Sequence, residues 1–302
     1  MVKFHQYMKN AHANDLTAGY SLEVGTKSMA ALTEAAPWIP RGTVIAIPYL
    51  PGEDDTARLS AARDVRRLGF EPMLHIAARH LHSRAELEAF IEHAAREAGV
   101  ERFFVIAGDV AQPKGPFADS LSLIDTGLFE RWGAKVVGVG GHPETHSIMS
   151  MDDRWDVLQR KCAHIAERGM TPLIITQFAF DASAVVAWLE ALRGRGLQYE
   201  VRIGVPGPAG IATLARYAAL CGVGASVSML AKHGTAMGKL LGVKGPDHFV
   251  DQLGEGIRDA HEAVTLHFFP FGGVGKTVTW IDHYARRAEQ AGSSLTACRT
   301  PP

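Results

Sequence analysis

The chain has 302 residues, of which 47% are hydrophobic and 21% charged, and its formal net charge at pH 7 is -1. This length and composition fit one large globular domain and exclude disordered and fibrous proteins. A nearly neutral chain offers no global positive field for a nucleic acid or an anionic membrane. We therefore expect small-molecule partners, with self-association into a homo-oligomer left open.

The cysteines Cys162, Cys221 and Cys298 show neither CxxC spacing nor the dense, even pattern of a secreted disulfide scaffold. The first residues, MVKFHQYMKNAHAND, lack the apolar run of a signal peptide. No later stretch reaches the roughly 18 apolar residues of a membrane span. We therefore expect a cytoplasmic protein that neither crosses nor anchors to a bilayer.

Short apolar runs rich in β-branched residues alternate along the chain with longer segments whose apolar residues have helical spacing. The predicted strands are 19–24, 43–48, 72–77, 102–107, 134–139, 172–178, 199–205 and 264–269. The helices predicted between them include 55–68, 84–98, 153–167, 182–192 and 211–221. Such alternation is typical of parallel strands with covering helices, and this number of strands predicts a (β/α)8 TIM barrel of the α/β class.

A longer segment, 222–262, precedes the last predicted strand, and we expect two extra helices there, interrupted at 242–246, as a lid or an interface. The final residues, 292–302, contain Gly, Ser, Thr and Pro but few apolar residues, so a mobile tail is predicted. No interior linker rich in Pro, Gly or Ser divides the chain. Residues 1–291 are therefore predicted to form one catalytic domain.

Polar residues stand at the predicted carboxyl ends of the strands, where active sites of such barrels lie. Glu23 interrupts an apolar run, where burial would raise the pKa of a carboxyl group and suit it to donate a proton, unless it is tied to a loop amide or an arginine. Asp109 follows Gly108, which lets the backbone approach a ligand, although an Asp there also caps turns. Gln177 offers donors and an acceptor to a heterocycle, or closes a buried hydrogen-bond network. The other strand ends carry Tyr49, His75, His142, His146 and the loop 204–210.

Histidines cluster in HIAARHLH (His75, His80 and His82) and in HPETH (His142 and His146), which raises the alternative of a metal-dependent hydrolase. The spacing does not match HExxH, Pro143 opposes a helix through the second cluster, and no carboxylate ligand stands obviously beside them. We therefore expect no metal.

Two glycine-rich stretches imitate nucleotide-binding loops. GGVGKT at 272–277 would need a glycine where Pro270 stands, and GVPGPAG at 204–210 does not match GxGxxG. Both are interpreted as loops at the barrel mouth. The amides of Gly275 and Lys276 could still contact a phosphate if a helix begins there.

Taken in order, several short motifs resemble methylenetetrahydrofolate reductase of the MetF type without a regulatory domain. They are SLEV with Glu23, AGD with Asp109, HPETH, LQRK ending at Lys161, ITQFAFD with Gln177, and HFF ending at Phe269. The likeness covers most of the chain, from Tyr20 to Trp280.

The resemblance implies a barrel that binds FAD at its mouth and reduces 5,10-methylenetetrahydrofolate to 5-methyltetrahydrofolate, or runs the reverse reaction, with NADH or NADPH as hydride donor. It implies that Glu23 is the general acid toward the folate nitrogen. Asp109 and Gln177 would hydrogen-bond the pterin, Asp109 would also influence the flavin, and Phe269 would contact the substrate. The implied cofactor contacts are Tyr49, His75, Ala107, Gly108, Asp109, Phe117, Ala118, His142, His146, Arg154 and Lys161.

The departures from the family fall mostly on the flavin side. EVGTK replaces an aromatic, proline-rich stretch after Glu23, and Ala107, Pro48, His142 and Arg154 replace the usual Arg, Thr, Tyr and Asp. Because Lys161 and the barrel mouth remain, we expect FAD, in a reshaped pocket where Arg154 and Lys161 could offer positive charge to its pyrophosphate. The alternatives are direct hydride transfer from a nicotinamide, the metal-dependent hydrolase, and a folate- or flavin-binding protein without turnover.

Overall fold

The computed structural model describes residues 16–144, 149–221, 245–257 and 263–297. In these ranges eight parallel strands close into a barrel in chain order, with β1 paired to both β2 and β8. The predicted (β/α)8 barrel is therefore confirmed. The strands are β1 (Ser21–Glu23), β2 (Val44–Ile47), β3 (Glu71–Ala77), β4 (Arg102–Ile106), β5 (Val136–Gly141), β6 (Thr171–Phe178), β7 (Glu200–Pro206) and β8 (Val264–Phe269).

Helices cover the outside of this barrel, and short 3-10 turns at Thr26–Ser28, Ala36–Trp38 and Ala78–His80 supplement them. None of the helices described has the length and apolar character needed to cross a membrane. The α-helices are α1 (Met29–Ala35), α2 (Asp55–Arg67), α3 (Arg84–Ala98), α4 (Ser120–Ile124), α5 (Leu128–Arg131), α6 (Met151–Glu167), α7 (Ala182–Gly194), α8 (Ile211–Leu220), α9 (Asp247–Gly256) and α10 (Val274–Ala297).

The largest difference from the predicted strand bounds concerns β5, which was expected at 134–139 and spans Val136–Gly141. Glycine is a poor strand former, so propensity alone does not extend the strand over Gly140 and Gly141. Pairing with Ile175 and Thr176 of β6 keeps both glycines in the sheet.

The segments predicted before and after β8 are only partly described. Helix α9 lies within the predicted extra segment, whereas residues 222–244 and 258–262 lie outside the described ranges. Helix α10 continues to Ala297, so residues 292–297 of the expected tail are helical, and 298–302 lie outside the description.

Side-chain alternation along the strands decides which residues enter the barrel. Successive side chains of a strand point to opposite faces. Leu22, Leu74 and Leu266 belong to the core between sheet and helices, whereas Met73 belongs to a separate apolar cluster inside the barrel. Glu23, His75 and His267 alternate with the three leucines and therefore point inward.

Caps fix the start of several helices at the rim. The Ser83 hydroxyl accepts a hydrogen bond from the Glu86 amide at the start of α3, and the Asp119 carboxylate accepts one from the Ser122 amide at the start of α4. Each cap satisfies an amide that the helix leaves unpaired. The strand-to-helix loops therefore have fixed ends.

Strand β6 is irregular between Ile175 and Phe178, where it pairs with β7. Gly204 of β7 lies beside this irregularity, and its amide donates to the Thr176 hydroxyl at 2.8 Å. A Cβ on Gly204 would lie 2.6 Å from the Thr176 carbonyl oxygen and 2.7 Å from the Gln177 carbonyl carbon. The missing side chain therefore lets the backbone before Phe178 pass close to β7 and sets the position of Gln177.

Replacing Gly204 with Ala is expected to lower the free energy of unfolding by about 1–3 kcal/mol, because the new methyl group overlaps rigid backbone. Gly194→Ala is the matched control, since nothing lies within 4 Å of a Cβ there. Urea unfolding measures both variants. Equal free energies of unfolding would contradict the close approach at Gly204.

Candidate active site

Glu23 ends β1 at the barrel mouth, and its side chain is 22% exposed. Its Oε2 lies 3.8 Å from Nε2 of His75 and 4.0 Å from Nε2 of His267. The Ser21 hydroxyl and Nδ1 of His267 share a hydrogen bond of 2.8 Å. A carboxyl group open to a ligand thus stands above a buried polar chain that runs through His267 to Ser21.

Burial lowers the pKa of both imidazoles, because the charged form loses its hydration. For His75 the pKa falls from 6.5 to about 4, even though the Glu23 carboxylate favours the protonated form. Its Nε2 is buried and has no hydrogen-bond partner in the part of the chain that the structure describes, and its ring packs on Phe104 with centroids 4.7 Å apart. Glu23 therefore faces two uncharged imidazoles near neutral pH.

Arg58 supports this part of the site from behind the strand. Its guanidinium is buried, donates to the His75 carbonyl oxygen and pairs with Asp55 at 2.9 Å. It also lies over the Tyr49 ring, 5.2 Å from the centroid. Arg58 thereby connects α2 to the ends of β2 and β3.

Asp109 lies in the loop after β4, with a side chain that is 69% exposed. Its Oδ1 is 2.6 Å from Nε2 of His80, a buried residue in the 3-10 turn after β3. This hydrogen bond is the main reason that the pKa of Asp109 lies below its usual value. Asp109 is therefore an ionised acceptor at the rim of the barrel.

The loop that carries Asp109 is fastened to the same turn by Arg79. The Arg79 side chain donates from Nε to the Ala118 carbonyl oxygen at 2.7 Å and from Nη1 to the Val110 carbonyl oxygen at 3.2 Å. The Arg79 amide donates to the Ala107 carbonyl, and the Lys114 amide donates to the Arg79 carbonyl, both at 2.9 Å. Both ends of the loop are thus held by one residue.

Gln177 lies half-buried at the end of β6, and its Oε1 accepts a hydrogen bond of 3.0 Å from the Phe178 amide. Phe178 packs against Phe269 at 5.5 Å and Phe271 at 5.0 Å between centroids. Phe269 in turn meets the His267 ring edge-on at 4.9 Å. This aromatic cluster connects the Gln177 end of the mouth to the Glu23 end.

Arg154, one of the two cations expected to hold a flavin diphosphate, is engaged within the protein. Arg154 donates to the carbonyl oxygens of His142, Glu144 and Ser150. Lys161 is half-buried, and burial lowers its pKa. The Arg154 guanidinium is therefore committed to backbone oxygens, and Lys161 is partly withdrawn from solvent.

Other predicted cofactor contacts also pack or hydrogen-bond within the protein. Phe117 is 5% exposed and belongs to the main core, and the Ala118 carbonyl accepts from Arg79. The Tyr49 ring packs on His80 at 4.8 Å. His146 lies outside the described residues.

Across the ranges that the structure covers, no group of three or more His, Cys, Asp or Glu side chains is arranged to hold a metal ion. His75 and His80 pair with different carboxylates, Glu23 and Asp109, and His82 is exposed. The metal-hydrolase alternative therefore finds no ligand set in this part of the chain.

Glu23, Asp109 and Gln177 all lie at the carboxyl ends of strands, as predicted, but no hydrogen bond or ion pair joins any two of them. Sequence reasoning missed the Ser21–His267 pair and the His80–Asp109 pair. The sequence did contain a signal for the Ser21–His267 pair. Both residues alternate with apolar residues in their strands, at the positions whose side chains point into the barrel. No comparable signal marked the second, which joins two loops.

No family model matches the chain. Among solved structures, it is similar to an uncharacterised protein from Clostridium thermocellum that binds two copies of 5-methyl-5,6,7,8-tetrahydrofolic acid, with 10% identity, a TM-score of 0.57 and coverage of 95% of this chain and 99% of that one. It is also similar to dihydropteroate synthase from Thermus thermophilus in complex with 6HMPPP, with 13% identity, a TM-score of 0.48 and coverage of 90% and 94%. At 10% identity the first of these likenesses shows a shared fold.

The lowered histidine pKa values make stability depend on pH. In the unfolded chain His75 is protonated below about pH 6.5, whereas in the folded protein it is protonated only below about pH 4. The neutral His75 therefore contributes fully to the free energy of unfolding above pH 6.5, and this contribution is lost as the pH falls from 6.5 to about 4. We expect the urea concentration at the unfolding midpoint to decrease as the pH is lowered from 7 to 4. His75→Leu should make this decrease with pH smaller. The exposed His93, replaced by Gln, is the control. Identical slopes for all three proteins would contradict the burial of a neutral His75.

Proposed function

We propose that this chain is an oxidoreductase that binds a reduced folate at the barrel mouth and reduces 5,10-methylenetetrahydrofolate to 5-methyltetrahydrofolate, or runs the reverse reaction. The observation that carries this proposal is the Glu23 carboxyl group, open to the mouth and faced by two buried imidazoles. The order of the sequence motifs supports it. The 5-methyltetrahydrofolate ligand of the structurally similar Clostridium thermocellum protein supports it as well.

The chemistry needs a proton donor where Glu23 stands. The one-carbon unit of the substrate bridges two nitrogens, and one carbon–nitrogen bond must break to give an iminium ion that accepts hydride. A carboxyl group that protonates the departing nitrogen lowers this barrier. His75 and His267 face Glu23 as uncharged imidazoles, close enough to hydrogen-bond its carboxyl group through a small rearrangement or a water.

Asp109 and Gln177 complete the proposed folate site. The Asp109 carboxylate accepts hydrogen bonds, and the Gln177 amide both donates and accepts, so together they suit the polar edge of a pterin. Phe269, half-buried beside His267, offers the ring an apolar contact. These assignments rest on the family resemblance together with the position of each residue at the rim.

Two routes for the hydride remain: transfer through FAD, as the resemblance implies, and direct transfer from NADH or NADPH. Arg154 fits a flavin diphosphate poorly, because its guanidinium is committed to three carbonyl oxygens. This observation favours the direct route. In that route the nicotinamide gives its hydride to the iminium carbon, Glu23 gives its proton to the nitrogen, and the oxidised nicotinamide leaves.

Replacing Glu23 with Gln is expected to lower the rate of folate reduction by about 100- to 10,000-fold, because the amide cannot deliver the proton. Folate binding should change far less. Nicotinamide oxidation in the presence of 5,10-methylenetetrahydrofolate measures the rate, and titration with 5-methyltetrahydrofolate measures binding.

Glu71→Gln is the matched control for Glu23→Gln, since Glu71 begins β3 at the opposite end of the barrel and pairs with Arg66. It should keep the full rate. A Glu23→Gln protein as fast as the control would remove Glu23 from the mechanism.

An absorbance spectrum of the purified protein, recorded before and after addition of FAD, separates the two hydride routes. We expect no flavin band that survives gel filtration, and a rate of folate-dependent NADH or NADPH oxidation that added FAD leaves unchanged, because Arg154 is committed to backbone oxygens and is not free for the diphosphate. A protein that retains FAD, and whose flavin is bleached by the nicotinamide, would instead establish the flavin route.

A further inference from the structure

His80 is a buried residue whose two ring nitrogens have different surroundings. Its side chain is 5% exposed, and Nε2 lies 2.6 Å from the exposed carboxylate of Asp109. Its Nδ1 is buried and has no hydrogen-bond partner among the residues described. The hydrogen bond of the ring is therefore the one with Asp109.

The surroundings of Nδ1 decide where the ring proton lies. A proton on Nδ1 would be a buried donor without an acceptor, whereas a bare Nδ1 leaves only an unused lone pair. The geometry therefore favours a proton on Nε2, which donates a hydrogen bond to Asp109. Asp109 therefore accepts at Oδ1 from the Nε2–H group of His80 and keeps Oδ2 for a ligand.

Neighbouring groups hold His80 in this position. The Tyr49 ring packs on it at 4.8 Å, and a Cβ on Gly108 would lie 3.0 Å from its Cδ2. Gly108 has a φ of 96°, so a larger residue there would be strained as well as crowded. The adjacent Arg79 fastens the loop that carries Asp109. The imidazole and the carboxylate are thus fixed from both sides.

Few other charges face this pair. Lys114, on the same loop, favours the ionised form of Asp109, and Arg79 is committed to carbonyl oxygens. Burial raises the pKa of the Tyr49 hydroxyl, which therefore stays uncharged. The hydrogen bond from His80 is the largest single cause of the lowered pKa of the Asp109 carboxyl group.

We propose that His80 is a positioning residue that holds Asp109 as an oriented, anionic acceptor for a heterocycle with neighbouring N–H donors, such as the 2-amino-4-oxopyrimidine edge of a pterin. An ionised carboxylate with one oxygen already engaged presents the other in a fixed direction, and it cannot act as a donor. The identity of the ligand rests on the proposed function, whereas the pairing of His80 with Asp109 does not.

The first test needs no ligand. Titration of the Asp109 side-chain carboxyl carbon by NMR, assigned with Asp109→Asn, should give a pKa below the ordinary 3.8 in the unaltered protein. His80→Phe keeps a ring but loses the donor, and should raise that pKa to the ordinary value or above it. His80→Gln keeps an N–H donor and should restore part of the shift.

The second test measures binding of 5-methyltetrahydrofolate at pH 7. His80→Phe should raise the Kd about 10- to 100-fold, a loss typical of a hydrogen-bonded charged group. His80→Gln should recover part of it. In an Asp109→Asn background, His80→Phe should add almost nothing, because the group that it positions is gone.

The outcomes separate the inference from the proposed function. An unchanged Asp109 pKa in His80→Phe, or equal losses of binding with and without the Asp109 carboxylate, would overturn the role of His80. A pKa that rises in a protein without measurable folate affinity would uphold the pairing and count against the folate proposal. If His80→Phe fails to fold, His80→Gln and Asp109→Asn carry the same comparison.

Discussion

The site depends on the two-residue alternation of strands in a closed barrel. Because each interior position must alternate with a position that faces the helices, the leucines of β1, β3 and β8 fix the inward direction of Glu23, His75 and His267. Three chain segments far apart in sequence therefore deliver polar groups to one interior volume. A shift of one residue in any of these strands would bury a leucine in the mouth and expel a functional group.

Most of the fold could be predicted because the same alternation is visible in the sequence. The apolar runs of the strands and the helical spacing between them give the element order, and the predicted helix at 84–98 coincides with α3. The error at β5 has a local origin, since Gly140 and Gly141 carry no strand preference and are placed by pairing with β6. The strand propensity of a residue does not include the pairing with a neighbouring strand, and that pairing is what extends β5.

The site was less predictable than the fold for a related reason. Strand-end residues such as Glu23 could be selected from sequence because the barrel sends all strand ends to one rim. Their partners could not be selected in the same way. His80 reaches Asp109 from another loop, and Arg154 meets three carbonyl oxygens, through geometry that leaves no periodic trace. A sequence can indicate that a cationic side chain lies near the barrel mouth. It cannot indicate that this side chain already donates its hydrogen bonds to backbone carbonyl oxygens.

The attachment of the β4 loop through Arg79 also affects how such a barrel can diversify. Loops at a barrel mouth are usually the parts that evolution or an engineer exchanges one at a time to obtain new specificity. Here the turn after β3 and the loop after β4 share their anchoring contacts, so neither keeps its shape when the other is replaced. The two loops can therefore be exchanged only as a pair. A chimera that receives one of them without the other would contain its sequence but not its conformation.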